Sequence, residues 1–248
     1  MAIEQAKIFI FKFANKFYKN FFSIYKPFYF FYKRISDRKK IAYLKSVIRP
    51  GMTIVDIGAN IGFYTLFFSK LAGPEGKVYA FEPDDINFKH LSAITADRKN
   101  VVAVKKAVGD FTGGIKLYAS EDLNVDHQSY DSGEGRKSIA VDSIALDDYF
   151  DENAKIDLIK IDIQGYDFNA LKGAKKTIRR QKDLLFLGEF WPYGLKKAGS
   201  SSSEYFGLLK ELDFEVKFDE YDPDYDAKAD DKNFYTDFIA EKAVKVAE

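Results

Sequence analysis

The sequence predicts a doubly wound, Rossmann-like α/β domain, and three observations support this prediction. Short apolar segments alternate with segments of helical spacing from residue 53 to residue 212, which is the pattern of a parallel sheet covered by helices. A glycine-rich turn at 58–62 joins the first apolar segment to the first of these helices. Two further apolar segments near the end of the chain have no helix between them, which predicts an antiparallel pair.

The order of these segments predicts a mostly parallel, seven-stranded sheet. Its strands are expected at 53–57, 77–81, 101–108, 156–163, 184–190, 214–218 and 234–241, the last two being the antiparallel pair. Helices are expected at 38–48, 63–71, 86–95, 167–180 and 203–212. A polar, glycine-rich region within 109–141 interrupts the alternation, and flanking stretches of period two predict an inserted hairpin or lid. We therefore expect one α/β domain over 38–248.

The composition excludes several chemistries. The chain of 248 residues has no cysteine, so disulfides, thiolate zinc sites, cysteine nucleophiles and cysteine-held iron–sulfur clusters are excluded. It has two histidines, His90 and His127, which disfavours a histidine-rich metal site, and we predict no metal. A chain without cysteine fits the cytoplasm, which is the location we expect.

Residues 1–37 differ from the rest of the chain and are predicted to form a basic, aromatic helical appendage. Residues 1–45 hold eleven Lys and Arg against two acidic residues, hence +9, which leaves 27 basic and 36 acidic residues, hence −9, for the remainder. At 100° per residue this segment has an apolar face and a basic face. The apolar face comprises Phe13, Phe17, Phe21, Ile24, Phe28 and Phe31; the basic face comprises Lys12, Lys16, Lys19, Lys26 and Lys33.

Two hypotheses explain this appendage, and a proline at position 27 is expected to kink or divide its helix. In the first, the apolar face docks on the α/β domain or on a second copy, giving a homo-oligomer through the N-terminal helices. In the second, residues 7–34 lie on an anionic membrane surface, placing the protein at the inner face of the membrane. The uncharged stretches are too short for a membrane-spanning helix, which needs about 18 apolar residues. No nucleic acid is expected as a partner, because the body is acidic.

The turn at the end of the first strand carries the main functional signal. Asp56 ends the strand, and the glycines that follow let a ligand approach the backbone closely. Such a turn lies at the carboxyl edge of the sheet, where α/β folds bind ligands. The second strand ends in Glu82-Pro83, 26 residues beyond Asp56, and an acid there can accept both hydroxyls of a ribose. The sequence therefore predicts a nucleoside-bearing cofactor, although the glycines alone would also suit a simple tight turn.

The spacing favours a sulfonium nucleoside over a dinucleotide. A dinucleotide fold wants G-x-G-x-x-G with a pyrophosphate on the helix N-terminus. Here the turn reads Gly58-Ala59-Asn60-Ile61-Gly62, without the middle glycine, and Asp56 would oppose a pyrophosphate. An acidic strand end suits a positively charged amino-acid sulfonium better.

Over roughly residues 40–240 the sequence resembles the FkbM-type methyltransferases. The resemblance rests on Val55–Thr65, Phe81-Glu82-Pro83, Ala107–Asp110 and above all Asp157–Asp167. It implies a class I methyltransferase fold, S-adenosyl-L-methionine (SAM) as cofactor, and O-methylation, commonly of sugars or secondary metabolites. The chain departs from the family pattern at Gln164, where a glutamate is usual, and at Gln128 in the insert, where part of the family has an arginine. The cofactor is predicted to contact Asp56, Gly58, Asn60, Gly62, Tyr64, Thr65, Glu82, Pro83, Ala107 and Asp162.

Methyl transfer to a hydroxyl is helped by a base, and three residues are candidates. Asp162 ends the fourth long strand, Glu189 ends the fifth, and His127 lies in the insert. Each has a plainer explanation: a strand-end salt bridge or cap for the carboxylates, and a surface position for the histidine. Lys160, one alternation from Asp162, is expected to neutralise it or to orient a small-molecule or glycan substrate.

Two other classes of protein stay open on this sequence. A nicotinamide-dependent oxidoreductase would use the same strand–turn–helix unit. A non-catalytic, methyltransferase-like scaffold would keep the fold and bind without turnover, although the cofactor turn is intact here.

Overall fold

A mixed seven-stranded sheet forms the centre of the computed structural model, which describes residue 18 and residues 21–119, 128–130, 135–218 and 228–242. The strand order is β3-β2-β1-β7-β8-β10-β9, and β10 runs antiparallel to both of its neighbours, β8 and β9. The strands of this sheet are β1 (Thr53–Ile57), β2 (Lys77–Phe81), β3 (Val101–Val104), β7 (Leu158–Ile161), β8 (Leu185–Phe190), β9 (Phe214–Phe218) and β10 (Thr236–Lys242). The predicted fold class is confirmed.

Helices cover both faces of the sheet because alternate strand residues point to opposite sides. Ile54 of β1 packs with the helices that precede β2, whereas Val55 and Ile57 pack with the helices of the second half of the chain. The first group comprises α1 (Phe22–Ser36), α2 (Arg38–Val47) and α3 (Phe63–Ala72). The remaining helices are α4 (Asp85–Thr95), α5 (Leu146–Tyr149), α6 (Asp167–Lys172), α7 (Lys175–Arg180), α8 (Pro192–Lys197) and α9 (Ser202–Glu211).

The inserted region forms a second, three-stranded sheet of order β4-β6-β5. Its strands are β4 (Ala107–Val108), β5 (Gly113–Ala119) and β6 (Lys137–Ile144), and β5 and β6 form the expected antiparallel hairpin. The single strand expected at 101–108 is therefore wrong. The chain leaves the main sheet at Lys105-Lys106, whose ammonium groups pair with Asp85 and Asp142, and the next two residues join β6.

The long helix expected at 167–180 is likewise divided, into α6 and α7, at Gly173-Ala174. Gly173 lies against the insert: a Cβ atom there would come within 1.9 Å of the carbonyl oxygen of Gly109. The close backbone contact between insert and helix explains both the glycine and the break.

The N-terminal helix α1 docks on the domain, but not through the predicted face. Its buried residues are Tyr25 and Tyr29, which pack with Tyr18 into the same core cluster as α2 and α3. The described members of the predicted apolar face are exposed to solvent: Phe21, Ile24, Phe28 and Phe31. Pro27 does not divide α1. None of the described helices is long and apolar enough to span a membrane.

Candidate functional site

The turn between β1 and α3 is held tightly against the end of β7. Gly58 and Gly62 have φ angles of +74° and +86°, in the left-handed region that favours glycine. A Cβ atom on Gly58 would come within 2.0 Å of the Asp162 carbonyl oxygen, and one on Gly62 within 2.8 Å of the Leu91 side chain. Both glycines are therefore required by close packing as well as by conformation.

Glu82 is a buried carboxylate at the end of β2, fixed in direction by the neighbouring backbone. The N–H of Asn60 donates to its Oε2 at 2.8 Å, and the N–H of Asp84 donates to its Oε1 at 3.0 Å. Burial raises the pKa of Glu82 to about 7, against the lowering effect of these hydrogen bonds. Its acceptor capacity is thus positioned at the carboxyl edge of the sheet, as the ribose hypothesis requires.

A narrow cavity of about 60 Å³ opens beside Glu82. The predicted cofactor residues that line it are Gly58, Asn60, Glu82, Pro83, Ala107 and Asp162. Its apolar wall comes from Ile57, Phe81, Val108, Leu117 and Ile163. A carboxylate acceptor next to an apolar wall suits the chemistry of a ribose and a base. The volume is below the range of about 300–1,000 Å³ of small-molecule sites, so a whole nucleoside enters only if the cavity widens.

Four predicted cofactor residues do not line this cavity: Asp56, Gly62, Tyr64 and Thr65. The Tyr64 hydroxyl donates instead to Asp37 Oδ2 at 2.6 Å. Asp56 and Thr65 are fully buried, and the Thr65 hydroxyl donates to Asp56 Oδ2 at 2.7 Å. Gly62 begins α3 and faces Leu91. The argument that Asp56 itself would repel a pyrophosphate is weakened, because the carboxylate has a cationic partner.

That partner is Lys160 of β7, which pairs with Asp56 in the strand register. Its Nζ lies 3.1 Å from Asp56 Oδ1 and 3.8 Å from Asp162 Oδ2, and it donates to the Gly58 carbonyl at 3.1 Å. Burial would lower the pKa of Lys160, but the charges of Asp56 and Asp162 outweigh it and raise the pKa. Lys160 therefore stays cationic and links the acid behind the turn to the acid in front of it.

A larger cavity of about 1050 Å³ lies between α1–α2 and the carboxyl ends of β1, β7 and β8. Its aromatic lining is Tyr29, Tyr32, Tyr43, Phe63, Tyr64, Trp191, Tyr235 and Phe238, and its acidic lining is Asp37, Asp162, Glu189, Asp237 and Glu241. Lys33–Asp37 and Lys40–Asp237 form ion pairs of 2.6 Å on its wall. The sequence did not predict that α1 and α2 would line this site, because no motif marks their residues.

Two carboxyl groups meet in this cavity with opposite pKa shifts. Burial and the charge of Asp162 raise the pKa of Glu189 well above its usual value. Burial also opposes ionisation of Asp162, but the charges of Lys160 and other lysines outweigh it and lower the pKa. A pair of this kind holds one ionised and one protonated carboxyl group near neutral pH.

Gln164 stands between these two groups. Its Nε2 donates to Glu189 Oε2 at 3.2 Å and to Asp162 Oδ1 at 3.5 Å. A glutamate, the usual family residue, would place a third carboxylate here, whereas the amide supplies a neutral donor. The insert also reaches this point, since the Tyr130 hydroxyl donates to the Gln164 carbonyl at 2.9 Å.

The two cavities meet at one place. Both are lined by Gly58, Asn60, Asp162 and Gln164. Of the predicted bases, Asp162 lies at this junction and Glu189 lies in the larger cavity beside it. His127 lies outside the described residues. Trp191 lines the larger cavity, and its indole N–H donates to the Lys232 carbonyl at 3.0 Å.

The strand order is that of the class I methyltransferase fold, and solved structures share this fold. An rRNA methylase from Clostridium thermocellum aligns with a TM-score of 0.51 and 15% identity over 82% of this chain and 93% of that chain. A methyltransferase from Streptococcus mutans, in complex with SAH, aligns with a TM-score of 0.50 and 15% identity over 83% of this chain and 97% of that chain.

Sequence comparisons then give the family. Residues 56–216, more than half of the chain, match the profile described as Methyltransferase FkbM domain. The chain belongs to the FkbM methyltransferase family, and its cofactor is SAM. A fibrillarin from Arabidopsis thaliana, described as an rRNA 2'-O-methyltransferase, is 39% identical over 57 residues, which is 23% of this chain and 20% of that protein. The chain thus matches about a fifth of that relative's length.

Proposed function

We propose that this protein is an O-methyltransferase that acts on a hydroxyl of a sugar, a glycan or a related small metabolite. The observation that carries the proposal is the junction of the two cavities at Gly58, Asn60, Asp162 and Gln164. A nucleoside cavity on one side and a large polar, aromatic cavity on the other bring two ligands together at one point. Such convergence supplies the alignment on which transfer between them depends.

In this proposal the narrow cavity widens on binding to hold the nucleoside of SAM, with the ribose hydroxyls on Glu82. When bound, SAM supplies an electrophilic methyl group on a positively charged sulfur. The carboxylate of Asp162, at the junction, favours a positive charge placed there. Lys160 keeps Asp162 ionised and fixes the Gly58 carbonyl, so it acts as a positioning residue. Asp56 binds Lys160 behind the turn, and Thr65 donates a hydrogen bond to Asp56.

The lining of the larger cavity fits a hydroxyl-rich acceptor. Carboxylates and tyrosine hydroxyls are acceptors for sugar hydroxyls, and the Trp191 and Tyr235 rings offer flat apolar surfaces for a sugar face. The cavity volume of about 1050 Å³ is just above the range for small-molecule sites, about 300–1,000 Å³. These features support a glycan or a substituted sugar over a very small alcohol.

Glu189 is proposed as the base, and Asp162 as the group that orients the acceptor. A carboxyl group with a raised pKa is the stronger base once it has lost its proton. A cation bound at the junction lowers the pKa of Glu189 by direct attraction, so it becomes ionised when the site is loaded. Glu189 would take the hydroxyl proton as the acceptor oxygen gains the methyl group that SAM would supply, with S-adenosylhomocysteine as the leaving group.

Transfer of a labelled methyl group from SAM to a panel of glycans, lipid-linked sugars and RNA tests this function. Wild type is expected to label a hydroxyl-bearing glycan. Glu189→Gln should lower turnover at least about 100-fold while the affinity for SAM stays within a few-fold. Glu211→Gln, a surface carboxyl group paired with Arg179, is the matched control. The proposal fails if no sugar acceptor is labelled, or if Glu189→Gln turns over like the control.

A second candidate is the ribose 2'-hydroxyl of RNA, favoured by the named activity of the fibrillarin relative. Basic residues at the larger cavity, Arg38, Lys39 and Lys217, would then contact phosphates. Labelling of RNA, weakening steeply with salt as phosphate contacts do, would select this candidate. It would also overturn the expectation that no nucleic acid is a partner.

A further inference from the structure

We propose that the outer face of helix α1 is a docking surface for an anionic lipid bilayer. Four large apolar side chains form this face, here called the outer stripe: Ile24, Phe28, Phe31 and Ile35. They are 54%, 70%, 64% and 58% exposed, respectively. The spacing of four, three and four residues places them along one side of a helix.

The outer stripe is held in place by the opposite side of the same helix. Tyr25 and Tyr29 are buried in the cluster that includes α2 and α3, and the Tyr18 hydroxyl donates to Asn87 of α4. The helix is thus fixed on the domain by Tyr25 and Tyr29, with Phe22 and Phe30 partly buried beside them, while the four residues of the outer stripe face outward. A helix with one face packed on protein and another apolar face in solvent has the form of an interfacial helix.

The concentration of apolar surface on α1 is unusual for this molecule. Away from α1, the large apolar side chains exposed in the described part of the chain are Phe111, Ile139 and Tyr235, which belong to separate segments. Scattered apolar residues are normal on soluble proteins, whereas a contiguous apolar surface marks an interaction site. We therefore infer that the outer stripe is an interaction site.

Charge identifies that partner as an anionic surface. Residues 5–36 contain seven Lys and Arg and no acidic residue, and residues 1–45 carry +9 against −9 for the remainder. Arg34 is exposed on α1 about a quarter turn from the stripe, whereas Lys26 lies on the opposite side of the helix. A second copy docked stripe to stripe would bring two such basic segments together, which like-charge repulsion opposes. An anionic bilayer attracts the basic segment and repels the acidic body, so it also sets the orientation of the molecule.

Docking through this face would hold the larger cavity near the headgroups. Tyr32 and Lys33 of α1 line that cavity, one to five residues from Phe28, Phe31 and Ile35 along the same helix. The helix that carries the stripe is therefore also a wall of the cavity.

Co-sedimentation of the full chain with phospholipid vesicles tests the proposal without reference to catalysis. Vesicles of phosphatidylcholine with phosphatidylglycerol are compared with vesicles of phosphatidylcholine alone. The stripe variant is Ile24→Gln/Phe28→Gln/Phe31→Gln. Its matched control is Phe111→Gln/Ile139→Gln, which changes exposed apolar residues elsewhere. A charge variant, Arg34→Gln, tests the electrostatic contribution separately, and thermal melts confirm that each variant is folded.

Wild type is expected to bind the anionic vesicles, to release them at high salt, and to bind the neutral vesicles weakly. The stripe variant should partition at least about tenfold less well, and the control as well as wild type. Each basic residue near an anionic surface is worth about fivefold in binding, so the charge variant should bind about fivefold less well. Equal binding by wild type and stripe variant would overturn the proposal. The proposal would also be overturned if wild type is a dimer in sedimentation velocity, the stripe variant is a monomer, and neither protein binds vesicles.

Discussion

Replacing Gly58 by alanine tests the geometry of the cofactor turn. Two costs add at this position. The φ angle of +74° costs a residue with a side chain about 1–2 kcal/mol. The new Cβ would lie 2.0 Å from the Asp162 carbonyl oxygen, whereas an ordinary contact begins near 3.4 Å, so the β7 end must move by more than an ångström. We expect a total loss of at least about 3 kcal/mol in the free energy of unfolding.

Gly51 provides the matched control for this substitution. Its φ angle is +86°, and a Cβ there would meet nothing within 4 Å. Gly51→Ala should therefore pay the conformational cost alone, and lower the melting temperature by about 2–8 °C. Urea unfolding and calorimetric titration with SAM are measured for both variants. The reasoning is refuted if Gly58→Ala is no less stable than Gly51→Ala and binds SAM equally well.

Three further predictions concern buried charges. Burial raises the pKa of Glu82 to about 7, and ribose hydroxyls favour its ionised form. Titration calorimetry should therefore show that the affinity for SAM rises between about pH 6 and pH 8. Glu82→Gln should bind SAM more weakly and without this pH dependence. Burial and the charge of Asp162 raise the pKa of Asp167 to about 7 from 3.8. The stability due to Asp167 is thus fully present below pH 3.8 and is lost as the pH rises through about 7. Between about pH 4 and pH 8, the free energy of unfolding in urea should therefore fall less for Asp167→Asn than for wild type, by up to about 4 kcal/mol. Parallel curves of this free energy against pH for the two proteins would contradict this. Lys160→Met should lower the free energy of unfolding by about 3–5 kcal/mol, because the buried charge of Asp56 is left without its partner. In a double-mutant cycle, adding Asp56→Asn should restore part of this free energy. Additive losses from the two substitutions would argue against the ion pair.

The sheet could be predicted because each strand carries its own signal. Thr53–Ile57 and Lys77–Phe81 are short apolar runs bounded by turns, and both have the predicted limits in the structure. The failures lie where a distant contact decides. Nothing local in 167–180 shows that Gly173 must accommodate the Gly109 carbonyl, so the helix break was not predicted. The pairing of Ala107–Val108 with β6 instead of the main sheet also depends on tertiary contacts.

The candidate site divides in the same way. Gly58 and Glu82 follow from the spacing of one strand–turn–helix unit. The Asp56–Lys160 pair depends on the register of two parallel strands, and this register could not be predicted from the sequence. On α1, both the tyrosine side and the phenylalanine side are apolar, so periodicity alone could not choose the docked face. The structure buries the tyrosines, and one of their hydroxyls, that of Tyr18, has a partner in Asn87.

The central claim is that cofactor and acceptor meet where the two cavities join, and a crystal structure with S-adenosylhomocysteine tests it most directly. The account predicts ribose hydroxyls on the Glu82 carboxylate, the base against the apolar wall that includes Phe81 and Leu117, and the sulfur at the junction beside Gly58 and Asp162. Ligand density elsewhere on the sheet, or a ribose without contact to Glu82, would contradict it.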